Sequence, residues 1–216
     1  RRNPDGLALV CAGDRLTLGE LDARANRIAN AILASGVIPG DRVMLCMPNS
    51  IELAESMAGV VKSGALLVPI STRLTADELA YIVGHCEPSL VVYPDTHREV
   101  AAQALKSHGN IVRICVGEVA AGEMAYEEFV AGAPETPPPK LGPELEDCVI
   151  GYTSGTTGRP KGAVGTHMNF IMAGYHCAQG WELLPGDSIF AASPMAHRTG
   201  LARMTNMFQF GCPLIM

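Results

Sequence analysis

Four short apolar runs, separated by stretches with helical periodicity, constrain this chain more than anything else in it. Residues 42–47 read Arg-Val-Met-Leu-Cys-Met and residues 65–70 read Ala-Leu-Leu-Val-Pro-Ile. Residues 89–93 and 111–116 repeat the pattern. Strands that are apolar at nearly every position, rather than at alternate ones, are buried on both faces. Between them the sequence predicts a helix from Asn49 as cap to about Lys62, stopped by Gly64. A second helix runs from the Thr75-x-x-Glu78 signal to about Cys86, and a third covers 97–107. This order predicts an α/β fold, with mostly parallel sheets covered by helices on both faces.

Before this repeat, residues 7–12 and 15–18 flank Gly13-Asp14 and read as a hairpin. Thr17-x-x-Glu20 is a capping box. It opens a helix with Leu21, Ala25, Ile28, Ile32 and Leu33 on one face, and Arg24 and Arg27 off it. Gly36 ends the helix, and Pro39-Gly40 turns the chain. Five prolines between Gly132 and Glu144 preclude a regular helix or a central strand there. The expected organisation is a first α/β lobe over 1–133, a Pro-rich linker over 134–147, and the start of a second α/β lobe over 148–216.

Composition removes several classes. The chain is 48% hydrophobic and 18% charged, enough for a buried core and unlike disorder. A net charge of −6 gives no electrostatic reason to expect nucleic acid. No apolar run reaches the ~18 residues of a spanning helix. The first residues lead into no signal-peptide core. Seven cysteines, an odd number with no C-x-x-C pair, predict reduced and mostly buried thiols in a cytoplasmic protein.

The chemistry concentrates in Tyr152-Thr-Ser-Gly-Thr-Thr-Gly-Arg-Pro-Lys-Gly162. A short strand precedes it from Asp147, Ala163 to Gly165 can extend after it, and a helix over 167–179 follows. Gly155, Gly158 and Gly162 allow positive φ and close approach of a ligand. Successive N–H groups in such a turn form an anion nest. Ser154, Thr156 and Thr157 add hydroxyl donors, and Lys161 adds a mobile positive charge suited to phosphate. The spacing is not G-x-x-x-x-G-K-[ST]: Arg159 and Pro160 separate Gly158 from Lys161, and Gly162 stands where a metal-binding hydroxyl would be.

A second loop, Pro194-Met-Ala-His197-Arg-Thr-Gly200, ends a strand predicted over 188–193. Open α/β sheets bind ligands at such strand ends. A helix over 201–210 follows. Histidines 85, 97, 108 and 176 have no partner at metal-ligand spacing. His167, at a helix start, is a candidate for shaping the nucleotide end of the site. Glu20, Asp22, Asp77, Glu78, Glu127 and Glu128 read as solvated carboxylates at helix starts or on helix faces.

The 152–162 stretch resembles the phosphate-loop signature of the adenylate-forming superfamily, and Pro194 to Gly200 resembles its P-x-x-H-x-x-G motif. Val61 to Pro69 resembles a further, structural motif of that group. The resemblance runs along the whole chain and points to the acyl- and aryl-CoA synthetase branch. It implies ATP-dependent activation of a carboxylic acid to an acyl-adenylate, then thioesterification to coenzyme A, with Mg²⁺ accompanying ATP. It implies that Thr153, Ser154, Gly155, Thr156, Thr157, Gly158 and Lys161 hold the nucleotide phosphates. Lys161 and His197 would act at the reacting groups, His197 at the mouth of the acyl pocket. Amino-acid-activating relatives keep an aspartate near this histidine. No acidic residue occurs from Ser188 to Met216, so a fatty or aryl acid without an α-amino group is the expected substrate. No dedicated metal site within the chain is expected.

Further motifs of that superfamily have no match here. The resemblance therefore implies the N-terminal portion of a longer enzyme, inactive alone and prone to self-association through exposed apolar surface. Two alternatives remain at this point: a P-loop-type phosphohydrolase, and a non-catalytic nucleotide-binding or interaction fragment.

Overall fold

The structure is a computed structural model that describes residues 3–140, 146–153, 159–184 and 186–216. The described residues form two sheets. The larger is built from β3 (Arg42–Cys46), β4 (Leu66–Ile70), β5 (Leu90–Pro94), β6 (Val112–Val116), β7 (Met124–Ala125), β8 (Asp147–Thr153) and β9 (Lys161–Thr166). Its order is β7-β6-β5-β3-β4-β8-β9, parallel throughout except for the antiparallel β8–β9 pair. The smaller contains β1 (Leu7–Cys11), β2 (Asp14–Thr17), β10 (Ile189–Phe190) and β11 (Leu214–Ile215), in the order β10-β11-β1-β2. The expectation of a mostly parallel, helix-covered α/β fold is met.

The apolar strands divide their side chains between two cores, as period-two alternation requires. Val43, Leu45, Leu67, Leu90, Val92 and Val149 face one core. That core is shared with α1 (Leu18–Ala34), α2 (Ile51–Ser63), α5 (Tyr126–Ala131) and α7 (Arg198–Phe210). Met44, Cys46, Val68, Ile70, Val91 and Tyr93 face the opposite core, with α3 (Ala76–Cys86) and α4 (Arg98–Ala104). Leu9, Ile189 and Leu214 bring the smaller sheet onto the first core. Helix α6 (His167–Gly180) lies against α7 with Gly174 and Ala178 buried.

Local signals set most helix starts. Thr17 and Glu20 form a complete capping box on α1, and Thr75 and Glu78 form another on α3. Gly64 ends α2 at φ 80°, a left-handed conformation that glycine adopts without a Cβ penalty. Helix α2 starts differently from the expectation. Its cap is Ser50, whose side chain accepts the Leu53 N–H at 3.1 Å, and not Asn49. The predicted helix 97–107 is shorter, a 3₁₀ turn over Asp95–His97 followed by α4. The predicted strand 188–193 reduces to β10. The Ala191 N–H still reaches Ile215 O at 2.8 Å, but the Ala191 and Ser193 carbonyls turn to the Asn49 side chain instead of a neighbouring strand.

Helices α1, α2 and α5 are joined by a buried carboxylate. Glu55 is fully buried and receives Arg24 through two bonds of 2.6 and 2.7 Å. The Tyr126 hydroxyl donates to it at 2.8 Å. The outer side of Arg24 pairs with exposed Glu127 at 2.7 Å. Arg24 and Glu127 are therefore a specific tie between helices rather than independent solvated charges. All seven cysteines are free, and five of them are buried.

Candidate active site

Strands β8 and β9 form the hairpin that carries the phosphate-loop sequence. Their register sets Thr153 opposite Lys161, Tyr152 opposite Gly162, and Gly151 opposite Ala163. Opposed residues in such a ladder share a face, so Lys161 emerges on the face of Thr153. Ser154, Gly155, Thr156, Thr157 and Gly158 lie outside the described residues. The two ends of their loop are fixed by the Thr153–Lys161 pair. Gly162 is required by packing. A Cβ there would come within 2.9 Å of Ile150 Cγ2 and 3.3 Å of Tyr152 Cζ.

Lys161 opens a strand. In a P-loop the lysine lies at the start of a helix, whereas here α6 begins only at His167. This difference in local geometry weighs against the phosphohydrolase alternative, in addition to the missing hydroxyl. Helix α6 has its own capping box: Thr166 accepts the Asn169 N–H at 3.2 Å, and Asn169 Oδ1 accepts the Thr166 N–H at 3.0 Å.

The second motif is held by a residue far away in sequence. Asn49, between β3 and α2, donates to Ala191 O at 3.3 Å and Ser193 O at 3.1 Å. Its Oδ1 accepts the Met195 N–H at 2.7 Å. All three polar positions of the amide are thus spent on the segment leading into Pro194–Gly200. Arg203 adds a bond to Ser193 Oγ at 2.6 Å. The turn closes with the His197 N–H on Pro194 O at 3.1 Å and the Gly200 N–H on His197 O at 2.8 Å. A Cβ at Gly200 would collide with the Met195 backbone. His197 is the residue before α7, and its exposed ring makes no cap bond to the helix.

Between the hairpin and this turn lies a cleft of about 850 Å³. Thr153, Gly151 and Ala163 form one wall, His197 and Thr199 another, and His176 and Met172 of α6 a third. Thr153 and His197, placed in the site from sequence, are brought together on it. His176 also lines the cleft, although its sequence context singled out nothing. His167 does not line it. It borders a separate apolar cavity of about 340 Å³ between α2, α6 and α7. Phe170 and Leu201 border both spaces.

Among the described residues, no three His, Cys, Asp or Glu side chains come together in a way that could hold a metal ion. No helix among those residues is long and apolar enough to cross a membrane.

Residues 1–216, the whole chain, match the AMP-binding enzyme family. The chain belongs to that family. It is 33% identical over 202 residues to a feruloyl-CoA synthase of Amycolatopsis sp., covering 93% of this chain and 38% of the relative. It is also 33% identical over 201 residues to the long-chain-fatty-acid–CoA ligase FadD13 of Mycobacterium tuberculosis, covering 93% of this chain and 39% of that one. Among solved structures, ATP-bound MatB from Rhodopseudomonas palustris superposes with a TM-score of 0.87 at 32% identity, over 100% of this chain and 43% of that chain. This AMP-binding chain thus spans about two fifths of the length of the curated relatives it matches.

Proposed function

We propose that this chain supplies the nucleotide-binding part of an acyl- or aryl-CoA ligase. In the first step a carboxylate oxygen attacks the α-phosphorus of ATP. A P–O bond forms to the acid, and the bond from the α-phosphorus to the β-bridging oxygen breaks. The products are acyl-adenylate and pyrophosphate. In the second step the sulfur of coenzyme A attacks the acyl carbon. The thiol proton passes to solvent, and AMP leaves with the electrons of the mixed-anhydride C–O bond.

The first step brings two anions together. The Lys161 ammonium, with the loop N–H and hydroxyl donors of Ser154, Thr156 and Thr157, offsets the charge that accumulates on departing pyrophosphate. ATP arrives as its magnesium complex. The ion adds positive charge at the phosphates, and no residue described here is assigned to hold it. Residues of the 194–200 turn border the space left for the acid. His197 stands there beside Arg198 and Thr199 on the cleft wall. No carboxylate occurs between Ser188 and Met216 to pair an α-amino group, which favours fatty or aryl acids. Coenzyme A as acceptor and a cytoplasmic location belong to the same reading.

The observation that carries this reading is the Thr153–Lys161 pairing at the base of the loop, with Thr153 lining one cleft with His197. Exposed Val164, Met168, Ile171, Met172 and Phe190 are the surfaces through which self-association would act.

The test is carboxylate-dependent exchange of pyrophosphate into ATP across short, long and aromatic acids, with Lys161→Ala alongside the parent. Exchange that requires both an acid and Lys161 is the expected result for the intact enzyme. Release of ADP or phosphate, or equal exchange rates with and without Lys161, overturns the proposal. If this 216-residue chain performs no exchange by itself yet binds ATP, the remaining catalytic groups lie on other residues of the enzyme.

A further inference from the structure

Helix α3 carries two rings that the proposed reaction does not use. Tyr81 and His85 are four residues apart and share a helix face. Their rings stack with centroids 5.9 Å apart and planes inclined by 27°. Each touches a different end of the phosphate loop. His85 Nδ1 lies 2.6 Å from the Tyr152 hydroxyl, and the two rings meet edge to face at 5.7 Å. Tyr81 receives the Arg159 guanidinium over its face, with Cζ 5.7 Å from the ring centroid.

Tyr152 is the residue before Thr153, and Arg159 precedes Lys161 by two. Helix α3 therefore grips the chain on both sides of 153–158. Tyr152 also ties the two strands together, because its ring covers Gly162. Burial pushes the Tyr152 phenol well above its ordinary range. Which of the two groups donates across the 2.6 Å contact depends on the imidazole tautomer.

The loop has two cations, and they are used differently. Arg159 is turned onto Tyr81, on the side of α3. Lys161 emerges on the face of Thr153, which lines the cleft. A guanidinium over an aromatic face gains from the ring quadrupole and is held there at little desolvation cost. An arginine free to reach the phosphates would bind them too, and would compete with Lys161 for position.

We infer that Tyr81 and His85 are positioning residues for the phosphate loop, holding Tyr152 and Arg159 so that Lys161 is the loop cation presented to the triphosphate. The inference rests on the phosphate-binding reading of 153–161.

The experiment uses the intact protein and two readouts: the rate of tryptic cleavage after Lys161, and ATP affinity by calorimetry. Pro160 protects the Arg159 bond from trypsin, so Lys161 reports the loop. Tyr81→Ala and His85→Ala are expected to speed cleavage and to weaken ATP binding, each by about three- to fivefold. Tyr81→Phe keeps the ring face and is expected to match the parent in both. Tyr81→Ala combined with Arg159→Ala is expected to cost less than the sum of the two single changes, since they share the cation–π contact, while Tyr81→Ala also removes the stack on His85. Because Tyr81 and His85 are not buried, melting temperatures should stay close to that of the parent. Tyr152→Phe, which keeps the ring over Gly162, repeats the His85 arm in a second variant.

Unchanged cleavage and unchanged affinity in both alanine variants overturn the inference, as does a Tyr81→Phe variant as impaired as Tyr81→Ala. A parent that binds no ATP overturns the phosphate reading instead. In that case faster cleavage in the alanine variants still upholds the clasp on the loop.

Discussion

The Asn49 amide oxygen accepts the Met195 N–H at 2.7 Å across 146 residues of sequence. Its amide nitrogen meanwhile holds two carbonyls just before the Pro194–Gly200 turn. One side chain thus replaces a missing strand neighbour and sets the entry to α7. Asn49→Ala should lower stability by about 1–3 kcal/mol, because three backbone groups lose their partner. It should also lower the exchange rate by more than that instability explains. Urea unfolding and pyrophosphate exchange on the same preparation check both.

His197 stands at the edge of the cleft with no bond to its own helix. His197→Ala should raise the half-saturating concentration of the acid by about tenfold and leave that of ATP within about twofold. Steady-state titration of each substrate in turn gives the answer. Equal effects on both would move His197 to the nucleotide.

Glu55 is a buried charge whose partners, Arg24 and Tyr126, are already in place. Glu55→Ala should cost about 3–5 kcal/mol, since it leaves a guanidinium without its buried counter-ion. Glu127→Gln, on the exposed side of the same arginine, should cost no more than about 1 kcal/mol. Urea midpoints of the two variants should separate clearly.

Gly59 of α2 packs tightly against α1. A Cβ there would collide with the Ile28 side chain and lie 3.2 Å from Ala25 O. Gly59→Ala should destabilise by about 1–3 kcal/mol, through overpacking rather than backbone conformation. Urea midpoints of the parent and the variant measure the loss.

Glu123 supplies an acid-sensitive tie. Burial opposes its ionisation, but the Ala120 N–H, the Arg98 guanidinium and the Tyr93 hydroxyl outweigh that and hold its carboxyl below the ordinary glutamate range. A depressed carboxylate stabilises the fold above its unfolded pKa of about 4.3, and that stability is lost as pH falls through the folded value. Glu123→Gln should therefore be less stable than the parent by about 1.5–3 kcal/mol at pH 7. The gap should close below about pH 4. Melting curves from pH 3 to pH 7 measure it.

The strand–helix alternation was legible because each apolar run carries its own burial signal, and because Thr17–Glu20 and Thr75–Glu78 are complete within four residues. The Thr166–Asn169 box was harder to read, since asparagine is not the usual third partner. Residues 124–131 show in the sequence only as the helix-type carboxylates Glu127 and Glu128, because β7 is only two residues long and α5 only six. In the site, Lys161 and His197 are visible from their motifs. Asn49 is not, because its role depends on contacts more than 140 residues away. Arg24 and Glu127 read as surface charges for a similar reason, since Glu55 lies 31 residues from Arg24 and Tyr126 lies 71 from Glu55.

Strand β1 pairs in parallel with β11, Leu9 against Leu214. During synthesis the first of these emerges from the ribosome long before the second. At about 5–20 residues per second, one edge of β1 waits on the order of 10–40 s for its neighbour. The parallel strands from β3 to β6 follow one another within 75 residues and can associate sooner. The smaller sheet is thus the late-forming part of the molecule. Until it closes, Leu9 and the apolar face beneath it are the surface that a chaperone would meet.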